Sequence, residues 1–267
     1  MKKALEGGDV DAAVAAGEKA VKLAPSSAEV FHWMGRSYGS KALEASIFTK
    51  ISWGKKCRDA WERAALLEPT NIGVRMDLIR FHMLAPGIAG GDKEKAKQQA
   101  AEIAKLDAGR GHLASGMIAR MEKDLPLAEK EYRKAYEMDA VRGFQPLGMV
   151  LIEQKKYDDA FTLVREASGK LPESPWPKYV LGRVALSSGR ELEKGLEALD
   201  KALAVPATSS GVVAAPDPPS LTALHWTRGL LLEKLGRKPQ ALAALTEAQK
   251  LAPKNEALAK DLKRVKG

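Results

Sequence analysis

Four histidines and one cysteine are the side chains here best suited to nucleophilic, acid–base or metal chemistry, and their spacing argues against all three. His32, His82, His112 and His225 stand at least 30 residues apart. No HExxH or H-x3-H step places two ligands on one helical face. His112 and His225 are read as packing residues, and His32 and His82 as candidate surface donors. Cys57 is the one cysteine, which excludes an internal disulfide and a cysteine-rich metal site. It has no histidine near it in sequence and is read as a small buried residue. No GxSxG elbow occurs. Gly90-Gly91 precedes a helical stretch, but the GxxxxGK[ST] spacing is missing, and Asp92 puts negative charge where an anion would sit. The pair is read as a turn. The expectation is a chain with no catalytic residue, no metal and no cofactor, hence not an enzyme.

The stronger pattern lies in small residues. Gly148, Ala160, Ala167 and Pro172 are separated by steps of 12, 7 and 5, and Gly229, Ala241, Ala248 and Pro253 repeat those steps. Gly116, Ala128 and Ala135 keep the 12 and 7, while Ala13, Ala20 and Pro25 keep the 7 and 5. Gly148 and Ala160 suit the close approach of two helices in a hairpin, and Ala167 the contact of the second helix with its neighbour. Pro172 ends that helix, since proline donates no N–H and its ring clashes with the preceding turn.

Two helices of about a dozen residues each, in a unit of about 34, resemble the tetratricopeptide (TPR) repeat. Phe31, Met34, Gly35 and Tyr38 are similar to the W-x2-L-G-x2-Y pattern of its first helix. The resemblance covers nearly the whole chain. It predicts an all-α fold, a right-handed superhelical solenoid of TPR helix hairpins in one domain over 1–267. The expected units are a partial repeat at 1–27, repeats at 28–70, 71–108, 109–140, 141–174, 175–219 and 220–254, and a capping helix at 255–267. The second repeat carries an insertion over 39–54, apolar enough to predict a hairpin extension packed against the body. Pro86 is expected to break the first helix of the third repeat, with a restart at Asp92 as N-cap. The stretch 206–219, rich in proline and small residues, reads as a surface loop. GIAGG (87–91) and ALEASIFTK (42–50) also resemble a group of bacterial TPR proteins, many of them exported and of unassigned function.

The resemblance implies that the first helix of each hairpin lines a concave groove. Its lining positions map to His32 and Arg36, Arg75 and His82, Arg110, Met117 and Arg120, then Arg142, Gln145 and Met149, and finally Trp176, Tyr179, Arg183 and Trp226. Arginine forks grip carboxylates, aromatics give rigid apolar contact, and methionine adapts to varied side chains. A protein or peptide partner of acidic character is therefore expected. The paired asparagines of the carboxylate clamp in chaperone adaptors are missing: the chain has only Asn71 and Asn255.

Composition bounds the rest. The 267 residues are 45% hydrophobic and 29% charged, with 43 Lys and Arg against 34 Asp and Glu, a formal charge of +9. The basic residues are spread along the chain, as on a solvated helical surface, and no polar pair recurs as in a base-reading RNA repeat. No specific nucleic-acid partner is expected. No apolar run reaches the 18 or so residues of a membrane span. The start, MKKALEGGDVDAAV, has two lysines but no apolar core to follow them, so no export signal is read. As written this fits the cytoplasm, or a periplasmic or exported protein if a signal peptide lies upstream. The function expected is a non-catalytic interaction scaffold. The alternatives are a structural subunit docking through its N-terminal edge and the 39–54 insertion, or a basic surface for an anionic polymer.

Overall fold

A computed structural model describes residues 1–204 and 217–267. The loop expected over 206–219 lies outside the described residues except at 217–219. Every regular element among the described residues is helical, and the chain divides into two compact units, 1–124 and 125–267. The first contains α1 (Lys2–Glu6), α2 (Val10–Leu23), α3 (Ala28–Glu44), α4 (Ile47–Leu67), α5 (Ile72–Leu84), a 3-10 turn (Gly87–Ala89), α6 (Lys93–Leu106) and α7 (Ala108–Met121). The second contains α8 (Leu125–Met138), α9 (Ala140–Glu153), α10 (Tyr157–Lys170), α11 (Trp176–Ser188), α12 (Leu192–Ala204), α13 (Leu221–Lys234), α14 (Lys238–Leu251) and α15 (Glu256–Lys266).

Three kinds of junction repeat, each set by local chemistry. The first is Pro-centred. α2, α4 and α14 all end two residues before a proline, at Leu23, Leu67 and Leu251. The turn closes by N–H donation from Ser27 to the Ala24 carbonyl, from Asn71 to Glu68 and from Asn255 to Ala252, with proline at the second turn position. The residue that closes the turn then caps the next helix, because the Ser27, Asn71 and Asn255 side chains accept from the N–H three residues on. The second kind is a left-handed turn. Lys156 N–H donates to the Leu151 carbonyl and Arg237 N–H to Leu232, spans that need a positive φ at the residue before. Gly236 supplies it at φ 75°, but Lys155 adopts 59° without being glycine.

The third kind is the tightest. Asp107 alone separates α6 from α7, and Asp139 alone separates α8 from α9. Each aspartate side chain caps the incoming helix at the N–H of Arg110 or Arg142. A one-residue junction brings the two backbones together within a turn. A Cβ on Gly143 would lie 2.4 Å from the Tyr136 Cα, and one on Gly111 would lie 2.6 Å from the Ala104 Cα. Both follow the sequence D-A-x-R-G, at 107–111 and 139–143.

The small-residue code acts largely as expected. A Cβ on Gly229 would meet Leu245, and one on Gly182 would meet Leu199, each on the partner helix of the same hairpin. Gly148 differs, since its nearest neighbour is Val180 of the following hairpin, at 2.9 Å. Ala13, Ala64, Ala128, Ala160, Ala167, Ala241 and Ala248 are fully buried or within 1% of it. In the second unit, Leu258 and Val265 of α15 are buried against Leu232, Leu245 and Ala248. Each such large apolar side chain contributes about 1.5–3 kcal/mol.

One expectation fails in the first unit. The 39–54 insertion does lengthen the hairpin, giving an α3 of 17 residues and an α4 of 21. Its tip, however, does not pack on the body: Leu43, Ile47 and Phe48 are 78%, 78% and 92% exposed.

Candidate functional site

In the first unit the site begins with a buried aspartate. Asp77, on α5, is 7% exposed. One of its oxygens accepts from His32 Nε2 at 2.9 Å and Arg36 Nε at 3.2 Å, both on α3, and the other from Arg80 Nη1 at 2.7 Å. Burial pushes the Asp77 carboxyl up, but the His32 hydrogen bond and the Arg36 and Arg80 charges outweigh it and hold the group below the ordinary aspartate range. This cluster ties α3 to α5 and places two guanidinium groups beside a cavity.

The cavity has a volume of about 850 Å³. The long hairpin forms one wall through Ala42, Leu43, Ile47 and Ile51, and α5 forms the other through Phe81 and Leu84. Trp61 and Cys57 also line it. Trp61 is fixed there because its indole N–H donates to the His32 carbonyl at 3.1 Å, with its ring against Gly35. Burial, then the Asp77 charge, pushes the Cys57 thiol up to about 12. Cys57 is therefore a neutral thiol at physiological pH and a poor nucleophile. The Pro86–Gly91 loop closes one end, and Ala89 is buried in it.

Several residues mapped to a groove from the sequence have partners inside the protein. His82 is buried at 3% exposure, with Nδ1 donating to the Gly90 carbonyl at 3.2 Å; it fixes the 86–91 loop and offers no surface. Burial, with Lys95 nearby, keeps it neutral by lowering its pKa. Arg75 donates to the Pro69 carbonyl in the turn before α5 at 2.9 Å and braces α5 against α6 through Gln99 at 2.7 Å. Arg110 pairs with Asp107 and Arg142 with Asp139, so both arginines of the D-A-x-R-G junctions steady the aspartate that caps their helix. Met117 packs against the Ile79–Ile103–Ile118 core, and Arg120 is half-buried on the same helix.

In the second unit Tyr179 is buried at 7% in the core of α11, α12 and α13, and its hydroxyl accepts from Arg183 at 3.0 Å. Trp176 donates to the Asp217 carbonyl at 3.1 Å and Trp226 to Asp261 of α15 at 2.8 Å. On α9, Arg142, Gln145 and Met149 stand at i, i+3 and i+7 and stay partly accessible, while Phe144, Leu147 and Leu151 of the same helix are fully buried or nearly so. Glu129 of α8, also buried, accepts from Arg133 at 2.9 Å, Gln154 at 2.8 Å and Lys156 at 2.6 Å.

The sequence reading missed Asp77, Arg80 and the cavity. An acidic residue inside the apolar pattern VRMDLIRF, with arginines two before and three after it, is the available signal.

A profile described as tetratricopeptide repeat matches residues 179–256. Residues 179–256 carry tetratricopeptide repeats. Solved structures extend the fold to the rest. Yeast Tom70 is similar at TM-score 0.65 and 17% identity, over 97% of this chain and 51% of that one, so this chain spans about half its length. A tetratricopeptide repeat protein from Parabacteroides merdae is similar at TM-score 0.63 and 12% identity, over 100% and 96% of the two chains. Human IFIT1, solved as a dimer with PPP-AAAA, is similar at 0.61 and 15%, over 97% and 60%. At these identities the likeness establishes the hairpin fold alone. Comparison with curated proteins finds no match. A tetratricopeptide-repeat fold supports, in general terms, a protein-interaction scaffold. Among the described residues no helix is long and apolar enough to cross a membrane.

Proposed function

We propose that this chain is a non-catalytic scaffold that holds a peptide or protein segment against the outward faces of its first helices. The observation that carries the reading is the stripe on α9. Arg142, Gln145 and Met149 share one face and remain partly accessible, while Phe144, Leu147, Val150 and Leu151 of the same helix are buried in the core. On α11 Trp176 and Arg183 stand seven residues apart and are likewise partly accessible. Guanidinium, amide, thioether and indole together suit an extended segment with acidic side chains. Arg142 already pairs with Asp139 at the helix start, so an incoming carboxylate would share that guanidinium.

The test is capture from the source cell's extract at low and high salt, with a Gln145→Glu, Met149→Glu, Arg183→Glu variant in parallel. A partner retained at high salt and lost in the variant supports the reading. Loss of all partners at high salt would indicate instead a non-specific polyanion surface, because phosphate contacts weaken steeply with ionic strength.

A further inference from the structure

The cavity of the first unit and the bare tip beside it have an unusual combination of features. Leu43, Ile47, Leu84 and Ile88 are each more than two-thirds exposed, and the first three also line the cavity. An apolar hollow whose lining continues outward as large exposed side chains is the mark of a macromolecular contact. A small molecule would be enclosed in its pocket and would leave such a rim bare. The charged lining is biased too, with Arg36, Lys50 and Arg80 against Asp77. Asp77 is saturated by His32, Arg36 and Arg80, which leaves the mouth cationic.

We propose that this cavity is the docking site of an amphipathic helix from a protein partner, apolar on the face that enters and carrying an aspartate or glutamate toward Arg36, Lys50 and Arg80. The proposal rests on the scaffold reading only in that the partner is a protein. The mode is helix-in-groove, in which apolar residues at i, i+3, i+4 and i+7 fill the hollow. The flanking carboxylate selects the partner through charge complementarity.

The probe is a fluorescein-labelled synthetic peptide of about five turns, with Leu and Phe on the i, i+3, i+4, i+7 face and Glu elsewhere, beside a twin with every Glu replaced by Lys. Binding to the full chain is read by anisotropy. Leu43→Glu with Ile47→Glu alters two exposed tip residues, and Lys50→Glu alters an exposed charge; circular dichroism checks that each variant is folded. The acidic peptide should bind saturably, at least about tenfold more weakly to the tip variant. Lys50→Glu should weaken the acidic peptide about fivefold and favour the lysine twin. The proposal is overturned if neither peptide binds, if the lysine twin binds wild type as tightly, or if the tip variant binds unchanged. It is also overturned if sedimentation shows a dimer that the tip variant dissolves, since a second copy would then cover this face. The tip variants leave α9 and α11 untouched, and the partner-capture variant leaves the cavity untouched, so either idea can fail alone.

Discussion

Asp77 shows how one buried charge can position a surface. Its carboxylate is out of water and stays ionised because His32, Arg36 and Arg80 supply three donors, and this fixes the spacing of α3 and α5 along the cavity. Arg36 and Arg80 are 43% and 52% exposed, so water screens part of that attraction. Asp77→Asn should therefore cost about 1–2 kcal/mol near neutral pH. The sign of the pH dependence follows from the lowered pKa. A carboxyl held below its ordinary value stabilises the fold above that value and loses the contribution as pH falls through the folded one. The gap between wild type and Asp77→Asn in urea unfolding should thus be full at pH 7 and close progressively below about pH 4. A gap that is the same at pH 3 would mean that shape, not charge, stabilises the cluster. Glu129 in the second unit is governed by the same balance, with Lys156, Arg133 and Gln154 outweighing burial.

At the scale of elements, the junctions decide where helices begin and end. The Asp139 junction leaves no room at Gly143, where even a methyl group would overlap the Tyr136 backbone. Gly143→Ala should destabilise the second unit by at least about 2 kcal/mol, read as a lower denaturation midpoint. An unchanged midpoint would show that α8 and α9 can separate at little cost. Much of this was legible in the sequence. The 12, 7 and 5 steps located the hairpins because only glycine and alanine fit where helices touch. The proline steps located helix ends because proline both stops one helix and forms the turn to the next. The D-A-x-R-G junctions went unread, although the motif recurs 32 residues apart, because a one-residue connection has no turn composition to mark it. The lengthened hairpin was legible as an insertion, but its exposed tip was not. Leu43, Ile47 and Phe48 are apolar, and composition favours burial whether or not a neighbour exists to cover them.

At the scale of the whole molecule, the repeat pattern named positions on first helices and did not say which of their side chains are available. The mapping assumed that a first-helix arginine points to a ligand, whereas Arg75, Arg110 and Arg142 first satisfy a carbonyl, an amide or a capping aspartate nearby. His82 and Tyr179 turned inward because each had a partner within the fold. The polar pattern with a few apolar positions at 255–267 is the helix α15, whose buried residues are Leu258 and Val265. Deleting residues 256–267 removes Leu258 and Val265 from the core they share with Leu232, Leu245 and Ala248. The loss should be about 2–4 kcal/mol, seen as a lower melting temperature together with a greater tendency to aggregate. A truncated chain that melts like the full one would show that α14 needs no cover.

The central claim is that a partner lies on the first-helix face. The most direct measurement is photo-crosslinking in the source cell's extract at high salt, from a benzoylphenylalanine placed at Gln145 on α9, compared with one at Glu166 on α10. Both positions lie in the second unit, Gln145 half-buried in the stripe and Glu166 exposed on the second helix of its hairpin. A discrete adduct from position 145 and none from 166 is the predicted result. Equal labelling from both positions, or an adduct from 166 alone, would contradict it.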